Sequence, residues 1–419
     1  MKRLLFSLSL TLSVAAFAQQ FDQVSVGAGY ANQTYYSLSS GNTSSSPIQD
    51  WEIGFKTGGF DAAVFINEGV ISGSSSQGAL ALYETSSTDF STVSISDTVN
   101  ALRNPDISWS VGAFNTPAVA TNPLDFGWGS YDINTNEVNG TRVFIIQLRN
   151  GAFKKIMVES LVQGLFTFKW ADLDGGNEMT RTLDQNQYAK DIVYYSLSND
   201  VVVDVEPTNW DMIFTRYSEE LDAGGGTTLE YNVGGALIAP GVRAAQASGI
   251  DPNTVSFSNY EQDLTDTVNL IGQDWRFFDL TAGGWVTLGD RAYFVQTASD
   301  SLFKVVFIDF EGSSTGIISL EKTYLGQYVS TPEFEELNGF ALYPNPAAGR
   351  VNFSIDWQEA NASAEYVILD LQGRIVFSEE VLIQPGVNVI TRDVNLASGT
   401  YIAQVLVGNA RATERLIIQ

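Results

Sequence analysis

Tyr35-Tyr36-Ser37-Leu38-Ser39 returns letter for letter as Tyr194-Tyr195-Ser196-Leu197-Ser198, 159 residues further along a chain of 419. Sixteen residues beyond the start of each copy, Trp51-Glu52-Ile53-Gly54-Phe55 is answered by Trp210-Asp211-Met212-Ile213-Phe214 in the same register. Two matches at one offset indicate an internal duplication, and a duplication organises everything around it. Later blocks keep their order as the offset shortens. Trp128-Gly129-Ser130-Tyr131-Asp132-Ile133 aligns with Trp275-Arg276-Phe277-Phe278-Asp279-Leu280. Arg142 to Gln147 then aligns with Arg291 to Gln296, and Phe153-Lys154 with Phe303-Lys304. The drift places insertions between blocks, where loops absorb them cheaply.

Each block is a short run of β-branched and aromatic residues bounded by turn residues such as Asn150-Gly151 or Ser299-Asp300-Ser301, the pattern of strands rather than helices. No stretch sustains a helical period; Ala236 to Ser248, the richest in alanine, is broken by Pro240 and Gly241. The expected fold is all-β. It comprises two tandem related β domains at 21–185 and 186–330, an acidic linker at 331–339, and a small C-terminal β-sandwich at 340–419 whose strands alternate with turns at Gln372-Gly373, Pro385-Gly386 and Ser398-Gly399.

Composition removes whole classes of chemistry. The chain has no His and no Cys, so imidazole bases, thiolate nucleophiles and His or Cys metal ligands are all absent. With 22 Lys plus Arg against 48 Asp plus Glu, and a net charge of −26, nucleic acid and anionic lipid are disfavoured partners. Residues 1–18 open with Lys2 and Arg3, run apolar through Leu4 to Phe17 and close on Ala16-Phe17-Ala18, the arrangement of a cleavable secretory signal peptide. No other segment is long and apolar enough to be a transmembrane helix.

Tyr343-Pro344-Asn345-Pro346, then Leu371-Gln372-Gly373-Arg374, then Leu396-Ala397-Ser398-Gly399-Thr400-Tyr401 resemble the landmarks of the type A C-terminal sorting domain of the type IX secretion system. The resemblance implies handling by the type IX machinery of a gram-negative bacterium and release or display on the outer cell surface, with surface lipopolysaccharide as an anchor. Pro344 and Pro346 are expected to hold the chain extended, and Gly373 and Gly399 to mark tight turns.

The duplicated body is similar to the HmuY family of secreted haem-binding proteins, through the Tyr-Tyr-Ser-Leu blocks, the Trp-acid-apolar strands, Gly151 to Ile156, and Gly164-Leu165-Phe166-Thr167-Phe168-Lys169-Trp170. That family is all-β and captures haem through paired axial side chains, often histidines. Histidine-ligated capture is excluded here. Thioether or phenolate ligands remain, and the methionines left after signal removal are Met157, Met179 and Met212. Met157 and Met212 fall on apolar strands where core filling is their ordinary role; Met179 lies in a polar stretch.

Three other constellations carry chemistry. Asp172, Asp174 and Glu178 alternate around Gly175-Gly176 as calcium ligands do, although the full calcium-loop pattern is missing and a solvated hairpin turn has the same composition. Glu52 and Asp211 offer the two acids a glycan hydrolase needs, but strand alternation puts each on the face away from its Trp and Phe neighbours, toward solvent. Tyr35, Tyr36, Trp51, Trp128, Tyr194, Tyr195, Trp210 and Trp275 form either a stacking platform or a repeated core. The expected function is a non-enzymatic, exported binding protein; a ligand-free surface or matrix protein and a carboxylate-based glycan hydrolase are the alternatives.

Overall fold

The computed structural model describes residues 19–58, 62–71, 79–328, 335–336, 339–357, 361–408 and 410–419. The expected signal peptide and most of the linker lie outside them. The described residues are strands joined by loops, with helical structure confined to isolated three-residue 3-10 turns. The fold is all-β, as the alternating sequence requires. Two compact units divide near residue 328.

In the larger unit the strands carrying the repeated motifs are exchanged. Asn32–Tyr36, from the first half, lies antiparallel to Met212–Asp222 of the second, pairing Tyr36 with Met212, Tyr35 with Ile213 and Thr34 with Phe214. Ile192–Ser196 reciprocates against Ile53–Lys56, pairing Tyr195 with Ile53, Tyr194 with Gly54 and Val193 with Phe55. The two registers coincide when 159 is added to the first-half numbers. The strands before them follow suit: Gln19–Ser25 pairs with Ile317–Gln327, and Met179–Asp184 with Leu165–Asp172. Gln19–Ser25 thus edges a sheet whose other members all come from residues 243–327, whereas Met179–Asp184 edges a sheet of strands from residues 81–172.

Two aromatic cores result. One gathers Val24, Tyr35, Tyr36 and Leu38 with Trp210, Phe214, Trp275, Tyr293, Phe307 and Leu320. The other runs from Ile53 through Trp128, Phe144, Phe166 and Phe168 to Tyr195 and Leu197. Because Tyr35, Tyr36 and Leu38 belong with the later residues, the cores do not divide at 185/186: the N-terminal strands sit with the 212–327 set, and Ile192–Ser196 with the 53–183 set. Local alternation fixes which residues face a core but not which strand pairs with which.

The hairpins deeper in each half match. Phe144 opposes Ile156, and Tyr293 opposes Val305. A bulge follows Val158 in one and Phe307 in the other. This register aligns Lys155, rather than Lys154, with Lys304, one residue away from the sequence alignment. The Nζ atoms bear it out by donating to equivalent loop carbonyls, Ser91 at 3.4 Å and Pro252 at 2.5 Å.

The smaller unit is a sandwich of a five-stranded sheet ending in Ala410–Ile418 and a three-stranded sheet of Ala341–Tyr343, Arg350–Trp357 and Gly386–Asp393. Their inner faces enclose Val351, Phe353, Ile355, Tyr366, Val405 and Leu416. The Tyr343 to Pro346 motif is tied to the last strand through Asn345, whose Oδ1 accepts from Ile417 N at 2.9 Å while its Nδ2 donates to Arg415 O at 2.5 Å. Gly373 has φ 79° in the turn closed by Asp370. Gly399 instead begins a strand, opposite Ile418, and Tyr401 Oη donates back to Ala397 O at 2.9 Å.

Candidate binding site

The exchanged strands meet at a pair of equivalent residues, where Tyr35 Oη donates to Tyr194 Oη at 3.0 Å. Trp51 packs on Tyr194 at 4.5 Å between ring centroids, and Trp210 on Tyr35 at 5.0 Å. The acids beside the tryptophans are buried, not solvated. Glu52 accepts from Ser196 Oγ at 3.1 Å, Ser198 Oγ at 2.8 Å and Ser198 N at 3.3 Å. Asp211 accepts from Leu38 N at 2.7 Å, and burial raises its pKa. Each carboxylate thus closes the turn that follows the other half's Tyr-Tyr strand. Alternation misplaced them because Ile53–Lys56 is buried on both faces, so its outer side is covered by the partner turn. The eight repeated aromatics are all core residues, exposed by at most 9%.

Beyond this axis the halves differ. In the first, strands of four and three residues, Ile53–Lys56 and Val64–Ile66, form the outer hairpin; in the second, both strands are eleven residues long, Met212–Asp222 and Thr228–Ile238. The extension closes over first-half residues 67–70. Arg216 donates to Val70 O at 2.8 Å, Asn232 Nδ2 to Glu68 O at 2.8 Å, and Ser218 N to Glu68 Oε2 at 3.3 Å. From the first half, Asn104 N donates to Glu68 Oε1 at 3.0 Å and Arg149 to Gly69 O at 2.6 Å.

Under this clasp lies a cavity of about 80 Å³, lined mainly by apolar groups that include Trp51, Phe65, Trp109 and Tyr194, together with Glu68, Asp106 and Arg216. Glu68 is 8% exposed, and desolvation pushes its carboxyl up to about 7 against the backbone and Asn104 hydrogen bonds and the Arg103 charge that lower it. Asn104, Pro105, Asp106 and Ser218 also line an adjoining groove of about 690 Å³, which carries Glu84, Glu219, Glu220 and Glu230. Following the hairpin register, Asn67 N donates to Glu52 O and Ala239 N to Asp211 O, so Pro240 stands where Glu68 does. The groove on that side, about 680 Å³, holds Tyr35, Trp210, Pro240, Asp191 and Asp211 among serines, threonines and asparagines. Glu68 carried no motif in the sequence; its one signal is that it is the only charged residue between Asp61 and Glu84.

The sequence-derived ligand candidates are not gathered. Met212 is fully buried in one core. Met179 packs against the other core, and Met157 against a separate cluster with Ile145 on the opposite face of the same sheet. No two can grip one iron. Burial pushes the phenols of Tyr35, Tyr36, Tyr194, Tyr195 and Tyr217 upward, opposing phenolate ligation. The three methionines and these five phenols therefore offer no axial pair for one haem. Asp172 is engaged by Lys154 and Asn177, and Asp174 accepts from Gly176 N at 2.8 Å. Among the described residues no group of three acids is placed to hold a metal ion; Asp172, Asp174 and Glu178 lie where Leu165–Asp172 connects to Met179–Asp184.

These features define an all-β scaffold of two compact units. Residues 29–170 match the model of the HmuY protein family, and residues 341–419 that of the secretion system C-terminal sorting domain. The chain carries an HmuY-type segment followed by a type IX sorting domain, and it is a secreted or cell-surface protein. No helix among the described residues is long and apolar enough to cross a membrane. No curated protein matches. Among solved structures, dimeric latent PorU from Porphyromonas gingivalis is 12% identical over 68% of this chain and 31% of its own, with a TM-score of 0.17. The BSP domain of a biofilm-associated protein is 10% identical over 99% and 83%, with a TM-score of 0.18. The chain thus spans about a third of PorU, and likeness at these scores carries no structural argument.

Proposed function

We propose that the chain is a non-enzymatic binding protein made of two related, strand-exchanged β modules, whose ligand site is the aromatic cavity beneath the long hairpin. Export by the type IX route delivers it to the cell exterior, where it is released or held by surface lipopolysaccharide. The observation that carries this reading is a mostly apolar, aromatic-walled cavity containing a buried acid, the usual make-up of a small-ligand site. Glu52 and Asp211, the acids that suggested hydrolysis, serve as turn caps. A ligand raises the melting temperature in proportion to the logarithm of its excess over Kd. A thermal-shift panel of small soluble metabolites on the full chain is expected to yield stabilisers whose effect disappears in Ser108→Trp, which fills the cavity. Stabilisers unaffected by that substitution, or none at all, contradict the assignment and favour a ligand-free structural role. Haemin is expected to give no saturable Soret shift.

A further inference from the structure

The cavity and its mouth are biased toward one sign of charge. Trp51, Phe65, Trp109 and Tyr194 supply aromatic surface, and an aromatic face attracts a cation that has left water. Glu68, in the same wall, accepts hydrogen bonds from the neutral Asn104 and Ser218 amides. Asp106 lines both cavity and groove. Beyond it Glu84, Glu219, Glu220 and Glu230 face a single lining cation, Arg103, which is itself paired with Glu230. Arg216, the one cation in the cavity wall, donates to the carbonyls of Val70 and Asn232, and the wall sets two carboxyls, Glu68 and Asp106, against it. The net charge of −26 adds a field that concentrates cations at such a cleft.

We propose that the cavity receives the head of a small organic ammonium ion, held between the aromatic walls and the Glu68 carboxylate, with the remainder of the ligand lying along the acidic groove. This rests on the cavity being the ligand site. A compact quaternary head suits a space of about 80 Å³ and gives up less hydration on entry than a primary ammonium. The opposite half differs: Pro240 stands at the position of Glu68, and its groove sets Asp191 and Asp211 beside Tyr35 and Trp210 among serines, threonines and asparagines rather than in an aromatic-walled cavity.

The test compares choline with its neutral isostere 3,3-dimethyl-1-butanol on the full chain, read by tryptophan fluorescence and calorimetry at pH 8. Choline is expected to bind saturably and at least about ten-fold more tightly than the alcohol. Glu68→Gln should weaken choline by a similar factor and leave the alcohol unchanged, with the circular dichroism spectrum checking its fold. Equal binding of both compounds overturns the ammonium assignment while leaving the cavity a ligand site. Binding of neither overturns it too, and the Ser108→Trp panel then decides the broader reading separately. The choline-to-alcohol comparison needs no variant, so it stands even if Glu68→Gln fails to fold.

Discussion

The axis where Tyr35 meets Tyr194 and the cavity wall at Glu68 lie in the same unit, yet they obey different rules. At the axis the aromatic and acid contacts have twins: Trp51 with Tyr194 and Trp210 with Tyr35, Glu52 on the Ser196–Ser198 turn and Asp211 on the turn after Tyr36. At the cavity the repeated Trp51 and Tyr194 meet residues without twins, because the second half's hairpin has lengthened and Glu68 stands where the other half has Pro240. The repeated aromatics build the wall, and the unrepeated hairpin and Glu68 set the cavity apart from its counterpart. Buried polar groups at the axis are capped by hydrogen bonds from the opposite half, which is what lets carboxylates survive there.

The largest effect expected from breaking this comparison is in the paired cores. Trp128→Ala and Trp275→Ala should each cost about 3–5 kcal/mol in denaturant unfolding, because each empties a buried indole site that is at most 1% exposed. A loss confined to one would mean that the cores are not equivalent. Next come the turn caps: Glu52→Ala should cost about 2–3 kcal/mol, because it leaves Ser196 and Ser198 without their charged acceptor, and Asp211→Ala should behave alike. Smaller still is the tyrosine pair. Tyr35→Phe and Tyr194→Phe should each cost about 1 kcal/mol, and the double variant less than the sum, since both remove one shared hydrogen bond.

The smallest effect is pH dependence. Glu68 and Glu206, both raised to about 7 by burial, bind more protons folded than unfolded. They therefore stabilise the ligand-free fold below the ordinary carboxylate range, and that stability is lost as pH rises toward 7. Melting temperature measured from pH 5 to 8 should fall less steeply in Glu68→Gln than in the parent. An unchanged slope would remove Glu68 from the account.

Much of the fold was legible because aromatic blocks recur in the same order along the chain and their alternation marks strands. The exchange was not, since pairing between strands more than 130 residues apart leaves no local trace. The acids were assigned to solvent because alternation assumes one open face, and the strand at Ile53 has none. The sorting motif was readable from Tyr343 to Tyr401, though Gly399 starts a strand rather than bending a turn. Glu68 was invisible because its importance comes from a hairpin contributed by the other half.

The exchange itself is the claim on which the site depends. The chain has no cysteine, and Gln23 lies opposite Ser319 in the ladder joining the first described strand to the last strand of the large unit, with Gln23 Nε2 3.2 Å from Ser319 Oγ. Introducing Gln23→Cys and Ser319→Cys together and oxidising at low protein concentration should close an intramolecular disulfide in nearly every molecule, because opposed strand positions meet the geometric requirement. Free thiols in the folded, monomeric protein would mean that each half keeps its own first strand, and the interlocked arrangement would be wrong.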